Sequence, residues 1–131
     1  MLRNLFKREN DELPPQIRSI EDFGKFWVVR FQGRLDKTTV PVNKAWSDKY
    51  LKEKKVFDKS IIVDLRDVEH VDSAALAMCV LRLTQFKKFG QKLLIINAPE
   101  EFKRLAEIER VAKDIQYYNS EKKAIAALKN K

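Results

Sequence analysis

The side chains with chemical options gather in one stretch of this chain: His70, Asp72, Ser73 and Cys79, preceded by the acids Asp64 and Asp67. A serine becomes a catalytic nucleophile when a base and an oxyanion site are built around it, and no glycine-flanked serine elbow surrounds Ser73. One His and one Cys make no recognisable zinc site, and three glycines, Gly24, Gly33 and Gly90, form no phosphate-cradling loop. Asp64 and Asp67 read as a strand residue and a link residue, and His70 as a capping or packing group. The residue types therefore argue against catalysis and call for no cofactor and no metal. What remains is Ser73 itself, placed just ahead of a long helical pattern that opens Ala74-Ala75-Leu76. The first turn of a helix leaves backbone N–H groups unpaired and carries the positive end of the macrodipole. Such a position suits a capping hydroxyl or a covalent phosphate, so Ser73 is either a cap or a switch.

The elements that must position Ser73 follow from periodicity. Residues 1–12 are polar and of mixed charge, and Pro14-Pro15 marks where this tail, expected to be mobile, meets a single folded domain over residues 13–131. Gln16 to Ile20 and Lys25 to Gln32 read as strands of a hairpin, the second alternating Trp27, Val29 and Phe31 against Phe26 and Val28. A helix is predicted from Thr38 to about Lys55, with Pro41 in its first turn and Val42, Trp46, Tyr50 and Leu51 facing inward. Ile61 to Leu65 is an almost continuously apolar strand followed by a short polar link. The helix from Ser73 to Phe89 then turns Leu76, Cys79, Val80, Leu83 and Phe86 inward. Strand Leu93 to Ile96, a helix from Pro99 to about Ala112, strand Ile115 to Tyr118 and a last helix opened by Ser120-Glu121 complete the pattern. Strand, helix, strand implies a parallel pair with a right-handed crossover. The expected fold is α/β, a mixed sheet of about five strands with about four helices.

Composition sets further bounds. The 131 residues suit one domain, and 44% hydrophobic beside 35% charged residues describe a folded chain with a charged exterior. No apolar run reaches the ~20 residues of a membrane span or the length of a signal peptide, so the cytoplasm is the expected compartment. The single Cys79 excludes an internal disulfide and reads as a small core residue. The net charge of +8 raises the question of nucleic acid, but it is spread over three windows. Residues 41–59 carry +3, residues 82–92 carry +4 and residues 121–131 carry +3, whereas residues 60–81 carry −3. Lysines recurring on helix after helix read as solvated faces, and the edge around Ser73 is acidic, which leaves binding of nucleic acid or an anionic membrane as the least favoured reading of the charge.

Taken together, Ile61-Ile62-Val63-Asp64-Leu65, Val71-Asp72-Ser73, Leu76, Gly90-Gln91-Lys92-Leu93 and Asn97 before a helix resemble the STAS domain family, the anti-sigma factor antagonist fold. Phe31-Gln32-Gly33-Arg34-Leu35-Asp36 resembles that family's second strand with the Gly and Asp that follow, and the resemblance covers nearly the whole chain. It implies a non-catalytic protein that binds an anti-sigma factor acting as a serine kinase. In the partner-switching members the serine after the motif's Asp is phosphorylated and the phosphorylated form lets go until a phosphatase restores it. That serine corresponds to Ser73. The alternative implied by the family is a constitutive STAS subunit of a larger complex, such as a lipid-transport ABC ATPase. Two departures stand out: Ala74-Ala75 replaces the family's common glycine-containing pair, and Glu107-Ile108-Glu109-Arg110-Val111 lacks an expected glycine. The expected partner-binding residues are Asp36, Asp72, Ser73, Ala74, Ala75, Ala77 and Met78, with Met78 suited to adaptable contacts beside a helix start that is apolar on several sides.

Overall fold

A computed structural model describes residues 4–6, 13–53 and 56–129. Six strands form one sheet in the order of the chain: β1 (Asn4–Phe6), β2 (Ile17–Asp22), β3 (Phe26–Leu35), β4 (Ser60–Val71), β5 (Leu93–Ile96) and β6 (Gln116–Tyr118). The first three pair antiparallel, and β3 through β6 pair parallel, as strands joined by helical crossovers must. Four helices complete the fold: α1 (Val40–Glu53), α2 (Ser73–Lys88), α3 (Glu100–Ile108) and α4 (Glu121–Lys129). The mixed α/β sheet expected from the sequence is the observed one, with β1 added at its edge where Asn4–Phe6 pair with Ile20 and Glu21. The rest of the expected N-terminal tail lies outside the described residues.

Strict alternation along β3 divides the interior in two. Trp27 and Val29 join Ile17, Leu65, Leu93 and Ile95 in the larger core, closed by Tyr50 of α1, Leu76 and Phe86 of α2, and Phe102 and Ala106 of α3. Phe26 and Val28 face the other way with Ile62, Leu94 and Ile96, and that smaller core is closed by Ala124 of α4. Val42, expected to face inward, is 59% exposed; Asn43, beside it in sequence, is buried instead and shares the inner side of α1 with Tyr50. Asn43 turns inward because its Nδ2 donates to Gln16 Oε1 (3.0 Å) and to the Thr39 carbonyl (2.8 Å), so a polar side chain takes a place that hydropathy assigned to Val42.

The polar link expected after Leu65 is strand. β4 runs on to Val71, pairing Asp67, Val68, His70 and Val71 with Gln32, Gly33, Arg34 and Leu35. Between Arg30 and Gln32, and again between Gly33 and Arg34, β4 advances one residue more than β3, which is a bulge at each place. One extra residue converts the two-residue period of a strand into three, and Leu65, Val68 and Val71 accordingly all point into the core while Arg66, Asp67 and Glu69 do not. The extension carries the chain to the far end of the sheet, where α2 begins.

Two features of the interior bear on later sections. Arg30 on β3 is half-encircled by carboxylates: its Nε and Nη2 donate to Glu21 (2.9 and 3.2 Å), and its Nη1 pairs with Asp64 (2.8 Å) and with Glu121 at the start of α4 (2.9 Å). Asp64 Oδ1 also accepts from Asn97 Nδ2 at 3.0 Å. The second feature is a cavity of about 150 Å³ between the sheet and helices α1 and α2.

Candidate functional site at the start of α2

The C-terminal ends of β3 and β4 deliver two turns side by side, and each turn opens a helix. After β3, Asp36 folds back on its own successors: its Oδ1 accepts from the Thr38 N–H (3.0 Å), the Thr38 hydroxyl (2.6 Å) and the Thr39 N–H (3.2 Å). The Thr38 hydroxyl bond, followed by these backbone N–H groups, holds the Asp36 carboxyl down at about 2. After β4, Asp72 sits in extended backbone with φ −136° and ψ −171° and caps α2. Its Oδ1 accepts from the N–H groups of Ala74 (2.9 Å) and Ala75 (3.3 Å), while its Oδ2 accepts from the Lys37 N–H of the other turn (2.9 Å). One carboxylate thus joins the starts of α1 and α2.

This geometry corrects the reading of Ser73 as a cap. The cap is Asp72, one residue earlier, and Ser73 is the first helical residue, with its side chain exposed and no capping bond to make. Its hydroxyl instead donates to the Glu109 carboxylate, at the end of α3. Glu109 is the residue of this candidate site that sequence reasoning missed; its distance along the chain hides it, and its one signal was the absent glycine in its neighbourhood. Arg110, directly after it, takes φ +61°, the left-handed conformation a glycine adopts without strain. The Val111 N–H reaches the Ala106 carbonyl (2.9 Å) and the Arg110 N–H that of Glu107 (3.1 Å), so the helix closes with the usual left-handed turn in a residue that resists it.

The expected partner-binding residues divide by accessibility. Ser73 and Ala77 are exposed, and Ala74 and Met78 are half-buried. Asp36 and Ala75 are buried, each 7% exposed, so they brace this surface from beneath and do not form it. Exposed Leu81 continues the Ala74–Ala77 side of the helix, and Val42 near the start of α1 is exposed as well. The two helices run side by side in one direction, since Asp72 ties their starts and Arg82 reaches Ser47 (2.6 Å) and Asp48 (2.8 Å) further along. Val80, expected inward, is half-buried and lies outside the core packing.

The acidic character read from residues 60–81 is mostly neutralised in place. Asp64 is buried against Arg30, Asp67 pairs with Arg18 (2.8 Å), and Asp72 is engaged by three N–H groups. The charge that faces Ser73 comes from Glu109. His70 lies 3.4 Å from Glu101 through Nδ1, a polar contact between two partly exposed side chains. Burial pushes the Cys79 thiol up to about 12, well away from a reactive thiolate. Among the described residues no group of three His, Cys, Asp or Glu is placed to hold a metal, and no helix is long and apolar enough to cross a membrane.

With two capped helix starts, a sheet running β3–β4–β5–β6 in parallel and an exposed serine after the capping aspartate, the architecture is that of a known class. Residues 15–124 match the family model described as the STAS domain, and the chain belongs to that family. Among solved structures it is similar to TM1081 of Thermotoga maritima, described as a candidate anti-sigma factor antagonist, at 19% identity and a TM-score of 0.74 over 85% of this chain and 93% of that one. It is similar to the anti-sigma factor antagonist SpoIIAA in its unphosphorylated form, at 16% identity and a TM-score of 0.70 over 88% and 97% of the two chains. It also resembles part of the murine anion transporter Slc26a9, at 12% identity and a TM-score of 0.66 over 82% of this chain and 18% of that one. These likenesses show a shared fold.

Proposed function

We propose that this protein is a non-catalytic regulatory binding protein of the anti-sigma factor antagonist type, which docks a partner anti-sigma factor and serine kinase at the start of α2 and is switched by phosphorylation of Ser73. The observation that carries this reading is the division of labour between Asp72 and Ser73. Because Asp72 caps the helix, the Ser73 hydroxyl is exposed and its modification leaves every capping bond in place.

A phosphate on Ser73 brings about −1.5 to −2 charge to a position beside Asp72 and against Glu109. The helix start favours that charge by about 0.3 to 1 kcal/mol, so the fold tolerates it, while the Glu109 carboxylate is driven off by like-charge repulsion. A partner packed against Ala74, Ala77 and Leu81 meets an unpaired double charge in a desolvated interface, and each ~1.4 kcal/mol lost there is tenfold in affinity. The switch acts on binding with the fold unchanged.

Affinity capture from the native cell with the natural chain, followed by mass spectrometry of Ser73, identifies the partner. Ser73→Ala retains that partner persistently, and Ser73→Asp loses it by at least about tenfold. Equal retention by all three chains defeats the reading. A second reading is favoured by the exposure of Val42 and Leu81, which offers apolar surface whatever the state of Ser73. In that case the domain is a constitutive subunit of a larger assembly such as a lipid-transport ATPase, and an ATPase co-purifies equally with both variants.

A further inference from the structure

The cavity between the sheet and helices α1 and α2 lies behind the Ser73 surface, with Ala75 and Met78 of α2 in its wall, and is lined mainly by apolar side chains, among them Trp27, Val29, Trp46, Phe86 and Ile95. Its volume, about 150 Å³, is that of cavities which stay dry and admit a single six-membered ring. Few polar groups reach it, and most are already occupied. Arg82 is held by Gln85 (2.9 Å), Ser47 (2.6 Å) and Asp48 (2.8 Å), which neutralises its charge, and the Ser47 hydroxyl donates to the Asn43 carbonyl (2.8 Å). Of the two other polar side chains buried at the cavity wall, the Tyr50 hydroxyl can both donate and accept, whereas the Asn43 carbonyl oxygen can only accept. Asn43 is 4% exposed, its Nδ2 is held by Gln16 and Thr39, and its Oδ1 has no donor among the described residues.

A buried acceptor without a donor is destabilising, and it identifies the chemistry that would relieve it. A water molecule needs two to four polar partners converging on it, and the walls of this cavity are almost wholly apolar. An anion finds no free cation, because Arg82 is paired. A small apolar molecule carrying one hydroxyl satisfies both the walls and the acceptor. We propose that this cavity binds one uncharged alcohol of about the size of a six-membered ring, with its hydroxyl donating to Asn43 Oδ1.

Both tryptophans of the chain, Trp27 and Trp46, line the cavity, so tryptophan emission reports its occupancy directly. The probes are cyclohexanol and cyclohexanone, rings of nearly equal size of which only the alcohol can donate, titrated into the full chain. Cyclohexanol is expected to change the emission saturably at one molecule per chain and to raise the melting temperature with concentration. Cyclohexanone, which sets an acceptor against an acceptor, is expected to bind roughly tenfold more weakly or worse. In Asn43→Leu, which keeps the shape and removes the acceptor, that preference disappears. If Asn43→Leu does not fold, the alcohol-to-ketone ratio in the natural chain decides alone. Absence of saturable binding by cyclohexanol, equal binding of the two probes, or a preference that survives Asn43→Leu overturns the proposal.

Discussion

The Arg30 cluster and the Ser73 edge both gather carboxylates from distant parts of the chain, and they are built in opposite ways. Around Arg30 the acids Glu21, Asp64 and Glu121 converge on one guanidinium that is 15% exposed, so side chain answers side chain at low dielectric. Around Ser73 the acids answer backbone: Asp72 and Asp36 satisfy N–H groups of two turns, and the serine hydroxyl, with Glu109, is left at the surface. The first arrangement fixes β2, β3, β4 and α4 to one another and has no room for an added group. The second is already complete without the Ser73 hydroxyl, so a group added there would displace none of the capping bonds.

The sharpest way to break this comparison is to take the cation from the first region. Arg30→Met leaves three carboxylates without their partner and is expected to lower stability by about 3 to 5 kcal/mol, read as a fall in the urea midpoint. A loss under about 1 kcal/mol would mean the cluster is a surface ion pair in effect. At the other region, Asp72→Ala removes the acceptor for three N–H groups and is expected to cost about 1 to 2 kcal/mol, while Ser73→Ala stays within about 0.5 kcal/mol. Comparable losses for the two would show that the hydroxyl, not the carboxylate, holds the helix start.

Acid sharpens the contrast. Burial acts to raise Glu21, but the hydrogen bond and charge of Arg30 outweigh it and leave it below the ordinary glutamate value. Asp64 is likewise held low against its burial by Asn97, the Arg66 N–H and Arg30. Groups lowered by folding stabilise above their unfolded values near about 4, and that stability is lost as pH falls through the folded values. The melting temperature should therefore fall steadily between about pH 4 and pH 2, with Asp36 contributing down to about 2, and Arg30→Met should fall less over the same range. Identical slopes would assign acid sensitivity elsewhere. The smallest effect is expected at Arg110, where glycine relieves the left-handed strain at some cost in unfolded-chain entropy: Arg110→Gly should gain up to about 1 kcal/mol in thermal unfolding.

The parts of this molecule written in periodicity were legible. Leu93 to Ile96 is the strand its four apolar residues announce, and α2 begins and ends within a residue of the predicted helix. The rest depended on partners remote in sequence. Residues 66–71 read as a link because two bulges give Leu65, Val68 and Val71 a spacing of three, which matches no strand template until β3 is laid beside them. Ser73 and Asp72 are both competent caps, and the choice between them is made by the Lys37 N–H, 35 residues away. Asn43 replaced Val42 on the inner side of α1 because Gln16 and Thr39 meet its amide. The acidic window was a count of charges along the chain, and folding paired them with Arg18 and Arg30.

The shared carboxylate of Asp72 also makes the molecule legible to spectroscopy at a point that a phosphate on Ser73, as proposed above, would not touch. An amide proton held at 2.9 Å by a charged oxygen resonates downfield of its neighbours, and Lys37 is such an amide. Any reorientation of Asp72 when Ser73 changes charge moves that resonance, although Lys37 lies on a different turn, ahead of a different helix. One backbone signal in a two-dimensional nitrogen–proton spectrum would thus report the proposed phosphorylation of Ser73 from a different turn of the chain.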